Sequence, residues 1–191
     1  MAALSMANRY RAAMPRYQSL PKIWLISDAR NDAVLEQALK RMPRGSGFIY
    51  RHYHLDDPAR FKRFQALLKV AKACEHTIIL ADSALTAREW GADGTYGPPL
   101  SHWPRRRDTI HFATVHSMRE LALANRTGSD AALVSPVFTT ASHPGTPVLG
   151  PVRFRLLARH AQMPVIALGG MDEAKSLALR WNRWAAIDGL S

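Results

Sequence analysis

The sequence predicts an α/β fold of the (β/α)8, or TIM-barrel, class. Short apolar runs alternate with helix-length amphipathic segments at a spacing of about 25 residues, the pattern of a parallel sheet. The runs are continuously apolar, as in strands buried on both faces. Eight strands in this alternation favour a closed barrel over an open sheet. At 191 residues the chain is short for this class, which usually needs about 250. The shortfall is expected in a degenerate fourth helix and in the lack of a helix after strand eight. Residues 1–20 are read as an N-terminal extension or capping helix, and 21–191 as one barrel domain.

The elements follow in order. Residues 1–20 are basic, carry no acid and have Met and Tyr interspersed. The run 23–27 is the first strand, and Asp32 is placed to cap a helix over 33–41. A polar PRGSG segment leads to the second strand, 48–51. Asp56-Asp57-Pro58 opens a long helix with Phe61, Phe64, Leu67, Leu68 and Ala71 on one face. The third strand, 77–81, ends at Asp82-Ser83, and a helix runs through Trp90 to Ala92-Asp93-Gly94-Thr95-Tyr96. Gly97-Pro98-Pro99 and Trp103-Pro104 leave room for only a short turn. Strand five is 110–114, followed by a helix whose Ser117 and Glu120 form a capping box. Strand six is 132–135, a helix covers 151–161, strand seven is 165–168, and a helix covers 172–181. Strand eight, 184–190, closes the pattern.

Composition narrows the function classes. No apolar run approaches the roughly 20 residues of a membrane span, and residues 1–22 lack the apolar core of a secretory signal. A lone cysteine, Cys74, excludes an internal disulfide framework and suits a reducing cytoplasm. The net charge of +11 includes an Arg105-Arg106-Arg107 run. No nucleic-acid-binding motif accompanies it, so the excess is read as steering for phosphorylated small molecules. His52 and His54 are two apart, but no third zinc ligand is evident.

The most informative stretch is 132–171, which reads strand, long polar loop, helix, strand and Gly-Gly turn. Ligands are held after the C-terminal ends of such strands. Gly169 and Gly170 have no Cβ, so their amides can approach an anion closely. The runs SPVFTTASHPGTPVLG and PVIALGGM resemble the signature of the thiamine-phosphate synthase and TenI family. That resemblance implies a single (β/α)8 barrel. It also implies coupling of a thiazole phosphate to hydroxymethylpyrimidine diphosphate with release of pyrophosphate or, in the TenI branch, isomerisation of the thiazole.

Carried over residue by residue, the resemblance places Arg51 at the end of strand two, without the flanking Gln and Lys. Asp82 stands in the metal-binding acid position, implying Mg2+, but the second acid expected near 99–101 is missing. Thr140 and Ser142 take the two hydroxyl positions of the loop, and His143 takes the place of its Lys. Asp188 falls where a phosphate-binding Ser would sit. His116 corresponds to the TenI acid/base; a neutral imidazole near pH 7 suits proton transfer. Arg51, Asp82, His116, Thr140, His143 and Gly169 are expected to converge at one mouth. The reading is a synthase-like protein of thiamine biosynthesis with depleted diphosphate ligands. A TenI-type tautomerase using His116 and a non-catalytic phosphate-binding barrel are the alternatives. An apolar strip at Ile23, Leu25 and Ile187 is expected to be covered by residues 1–20 and a second subunit, giving a homodimer.

Overall fold

The computed structural model describes residues 20–102, 108–140, 145 and 147–191. Its strands are β1 (Ile23–Ile26), β2 (Gly47–Tyr50), β3 (Thr77–Leu80), β4 (Gly94–Gly97), β5 (Ile110–Val115), β6 (Ala131–Val134), β7 (Val165–Ala167) and β8 (Trp184–Ala186). Each pairs in parallel with the next, and β8 returns to β1 through Ile23↔Trp184, Trp24↔Ala185 and Leu25↔Ala186. The barrel is closed, as the sequence predicts. Around it lie α1 (Leu35–Arg41), α2 (Asp57–Ala73), α3 (Ala84–Trp90), α4 (Met118–Thr127), α5 (Gly150–Arg159) and α6 (Glu173–Leu179). The degenerate fourth helix is a single 3-10 turn, Pro99–His102.

Because successive side chains point to opposite faces of a strand, each strand feeds two cores. Trp24, Ile26, Ile49, Ile79, Phe112, Leu133 and Ile166 fill the barrel interior. Trp24 and Phe112 meet there edge-on, with ring centroids 4.7 Å apart. Their strand neighbours face outward. Leu25, Phe48 and Ile78 pack on Leu35, Leu39, Phe64 and Leu67, while Val115, Val134 and Ala167 pack on Leu121, Phe154 and Leu179. Each large side chain so buried contributes about 1.5–3 kcal/mol.

Helix starts follow the sequence signals. Asp56, Ser83, Ser117 and Asp172 each accept a first-turn backbone N–H, from Ala59, Thr86, Glu120 and Lys175. The capping box forms in a variant shape: the Glu120 carboxylate accepts from the His116 N–H at 2.6 Å, one residue before the cap, and from the Ser117 hydroxyl at 3.1 Å. The segment after β1 departs from expectation. Asp32 opens a 3-10 turn, Asp32–Val34, and α1 starts only at Leu35 without a side-chain cap. The Asp32 carboxylate is taken instead by Arg63 and His52.

The end of the barrel also differs from the prediction. Strand eight stops at Ala186, and a 3-10 turn, Asp188–Leu190, follows it. Leu190 and Ile23 pack against both outer cores, so together they cover the β8–β1 seam. Leu25 is fully buried and Ile187 nearly so. The exposed strip expected at Ile23, Leu25 and Ile187 is therefore not found, and the homodimer expected through it loses that motive. Residues 1–19, with Met6, Tyr10, Met14 and Tyr17, lie outside the described residues, as do Arg105, Arg106 and Arg107.

Candidate functional site

A cavity of about 580 Å3 opens at the C-terminal ends of the strands. Arg51 after β2, His116 after β5, Thr140 after β6, Gly169 and Gly170 after β7, and Asp188 after β8 all line it. Six predicted site residues thus share one mouth, each carried by the loop that follows its strand. Ser142 and His143 lie outside the described residues. Asp82 does not line the cavity; its carboxylate is turned to Arg60.

The wall formed by β5–β8 is made largely of backbone. Gly169 and Gly170 have φ of +98° and +60°, a region that other residues adopt only at a cost. A Cβ on Gly169 would lie 2.7 Å from Pro136 Cα, and one on Gly170 would overlap the Thr139 carbonyl. These glycines let the loop after β6 dock on the loop after β7, where Phe138 N–H donates to Gly169 O at 3.0 Å. Neither glycine amide has a hydrogen-bond partner among the described residues, so both remain able to receive an anion. Lys175, a wall residue the sequence reading missed, lies beside them. Its Nζ donates to Gly170 O at 2.7 Å and to Asp172 at 2.9 Å. A lysine in the first turn of a helix opposes the helix dipole; that mismatch was the available signal.

His116 is exposed to the cavity, and its Nδ1 lies 2.9 Å from the Ser135 carbonyl oxygen. A carbonyl only accepts, so neutral His116 carries its proton on Nδ1 and leaves Nε2 as a base. The tether also fixes the ring orientation.

The β1–β3 wall is an ion-pair network. Arg51 donates to Asp28 at 2.9 Å, Arg30 joins Asp28 at 2.9 Å, and Arg30 also reaches Asp188 at 3.1 Å. Asp188, where a phosphate-binding Ser was expected, is turned toward Arg30. Burial pushes the Asp28 carboxyl up, but hydrogen bonds from Arg30 and the charges of Arg30 and Arg51 outweigh it and hold it below the usual range. Tyr96, on the cavity wall beside Arg51, is pushed up by burial. Behind this wall, buried His52 completes a relay. Arg51 N–H donates to Ser27 Oγ, Ser27 O–H to His52 Nδ1, and His52 Nε2–H to Asp32. Burial lowers the His52 pKa, with Asp32 opposing.

The Mg2+ implied by Asp82 meets a donor set that does not suit it. Arg60 Nη1 lies 2.6 Å from one Asp82 oxygen, and Ser83 N–H donates to the other at 2.7 Å. Hard divalent ions need several oxygen ligands. Residues 99–101 are Pro-Leu-Ser, and no group of three His, Cys, Asp or Glu suited to a metal occurs among the described residues.

Three comparisons extend this picture. The family model described as thiamine monophosphate synthase matches residues 23–188. A protein of Aquifex aeolicus (strain VF5), "Putative thiamine-phosphate synthase 2", is 26% identical over 180 residues, covering 90% of this chain and 97% of that one. The "Thiamine-phosphate synthase" of Thermosynechococcus vestitus (strain NIES-2133 / IAM M-273 / BP-1) is 26% identical over 158 residues, 79% of this chain. Those residues span only 45% of that longer protein. Among solved structures, the thiamine phosphate pyrophosphorylase from Pyrococcus furiosus superposes with a TM-score of 0.72 at 20% identity, over 88% of this chain and 86% of that one. That likeness speaks for the fold alone.

Proposed function

Because the chain belongs to the thiamine monophosphate synthase family, we propose that it is a synthase-like protein of thiamine biosynthesis that binds a thiazole phosphate in the mouth cavity. The observation that carries this reading is the β5–β8 wall. The partner-free amides of Gly169 and Gly170, with the Lys175 ammonium beside them, form an anion cradle. Thr140 lies in the same cavity. Arg51, on the opposite wall, would meet the diphosphate of a pyrimidine partner.

In the synthase reaction the thiazole nitrogen forms a bond to the pyrimidine methylene carbon as its bond to the diphosphate oxygen breaks. Pyrophosphate leaves with that electron pair, and no proton is transferred in the step. Arg51 stabilises the charge developing on the leaving group. Asp188 is held off the phosphate by Arg30. No helix among the described residues is long and apolar enough to cross a membrane; we place the protein in the cytoplasm.

A second reading is favoured by one observation, the tether of His116 Nδ1 to Ser135 O. With Nε2 free to take and return a proton at a thiazole carbon, the barrel would act as a TenI-type tautomerase. Calorimetry with thiazole phosphate and with hydroxymethylpyrimidine diphosphate, plus a pyrophosphate-release assay, separates the readings. A synthase binds both and releases pyrophosphate, a tautomerase binds only the first and exchanges its ring proton, and a non-catalytic barrel binds without turnover. Failure to bind thiazole phosphate would sink all three.

A further inference from the structure

We propose that the Arg60 guanidinium takes the place of a divalent cation at the β2–β3 corner of the mouth, so that this barrel binds diphosphate without metal. The inference rests on the diphosphate half of the proposed function and concerns how that half is charged.

Arg60 sits in the first turns of α2 and is only 6% exposed. All three of its nitrogens are engaged. Nη1 meets Asp82 at 2.6 Å, Nη2 donates to the Ala81 carbonyl at 2.9 Å, and Nε donates to the Arg51 carbonyl at 3.2 Å. The guanidinium thereby joins the ends of β2 and β3, which is the bridging task of a metal ion. Its carbon lies 5.4 Å from the Trp90 ring centre and 6.0 Å from that of Tyr50, so an aromatic wall holds the charge from behind. Asp82 remains ionised: burial raises its pKa, but Arg60, Ser83 and Thr86 together pull it below the ordinary value. Its negative charge is therefore spent inside the protein.

A metal entering here would have to displace an intramolecular guanidinium that gives up no translational freedom on binding. It would find one carboxylate, since residues 99–101 supply none. The cation facing the cavity from this wall is then Arg51, held in place by Arg60 through its carbonyl and by Asp28 through its guanidinium. Arg60 acts as a positioning residue and touches no ligand itself.

The test uses the full-length protein and inorganic pyrophosphate, with Mn2+ as a spectroscopic stand-in for Mg2+. Pyrophosphate affinity in EDTA should fall within about twofold of that in Mg2+, and electron paramagnetic resonance should show no submillimolar Mn2+ site. Arg60→Met should make pyrophosphate binding respond to Mg2+, and Arg60→Lys should restore metal independence in part. A purely structural role would leave metal dependence unmoved. The proposal is overturned by a roughly tenfold loss of affinity in EDTA, or by Mn2+ binding that Asp82→Asn abolishes. If pyrophosphate fails to bind under either condition, the diphosphate half of the proposed function falls, and the Mn2+ titration still decides for or against Arg60. Should Arg60→Met not fold, the wild-type measurements carry the decision alone.

Discussion

The two walls of the mouth hold charge in opposite ways. On the β1–β3 side, Asp28, Asp32 and Asp82 are matched to Arg30, Arg51, Arg60, Arg63 and His52. On the β6–β8 side the open donors are two glycine amides with no partner among the described residues, beside a Lys175 ammonium already held by Gly170 O and Asp172. A paired network rigidifies and adds stability, whereas open donors, the two amides and the buried Nε of Arg51 across the mouth, are available to a ligand. The difference teaches that one rim presents its cation, Arg51, from within a braced ion-pair network, while the other presents backbone amides left open.

That contrast can be broken by mutation. The largest effect should come from Arg60→Met, which leaves the part-buried Asp82 without its cation and should cost about 2 kcal/mol in urea unfolding, less than for a fully buried pair because solvent screens Asp82. Thiazole phosphate affinity measured on the folded fraction should barely change. His116→Gln should leave unfolding unaltered and lower any proton-transfer turnover about 100-fold, since a general base typically contributes that much or more. An unaffected rate would remove His116 from the chemistry. Lys175→Met should weaken thiazole phosphate binding about tenfold by calorimetry, the scale of one charge-assisted hydrogen bond, without measurable loss of stability. If Lys175→Met instead destabilised the fold as Arg60→Met does, the distinction between the walls would collapse.

The smallest effect is a pH slope. The folded-state pKa of His52 lies below its ordinary 6.5, chiefly through burial. Ser27, Asp32, His54, Arg63 and the stacked Tyr50 ring face it. The unfolded chain therefore takes the proton first, and stability falls as pH drops below about 6.5. A second decline follows below about 4, as Asp28, Asp32 and Asp82, held low in the fold, become protonated. Melting temperatures between pH 8 and 3 check both stages, and a His52→Gln variant should lose the first.

The sequence made the barrel legible because the repeated apolar runs and four side-chain caps are local signals, although the fourth strand, Gly-Thr-Tyr-Gly, is not such a run. Several cavity-facing residues were legible because they stand at or just past the end of a run, whereas Lys175, inside a helix, was not. Pairing was not, because a salt-bridge partner is chosen in space. Arg51 and Asp82 both read as ligand-facing residues of the mouth, yet Arg51 meets Asp28, and Asp82 meets Arg60. Arg60 did leave a trace. It precedes Phe64, Leu67 and Ala71 on the buried stripe of α2, at helical spacing. An arginine among apolar anchors is a buried charge in search of a partner. Asp32 misled because a carboxylate before a helix reads as a cap, and nothing local announces that Arg63 will claim it.

The 3-10 turn that covers the β8–β1 seam has a consequence for the order of synthesis. The Arg30–Asp188 contact joins positions 158 residues apart, and Leu190 lies beyond it. At a ribosomal rate of about 5–20 residues per second, the first strand must wait on the order of ten seconds before its second edge is paired. During that interval the nascent chain is an open sheet with an unprotected apolar margin. The yield of closed barrel then depends on that interval as well as on the stability of the finished fold.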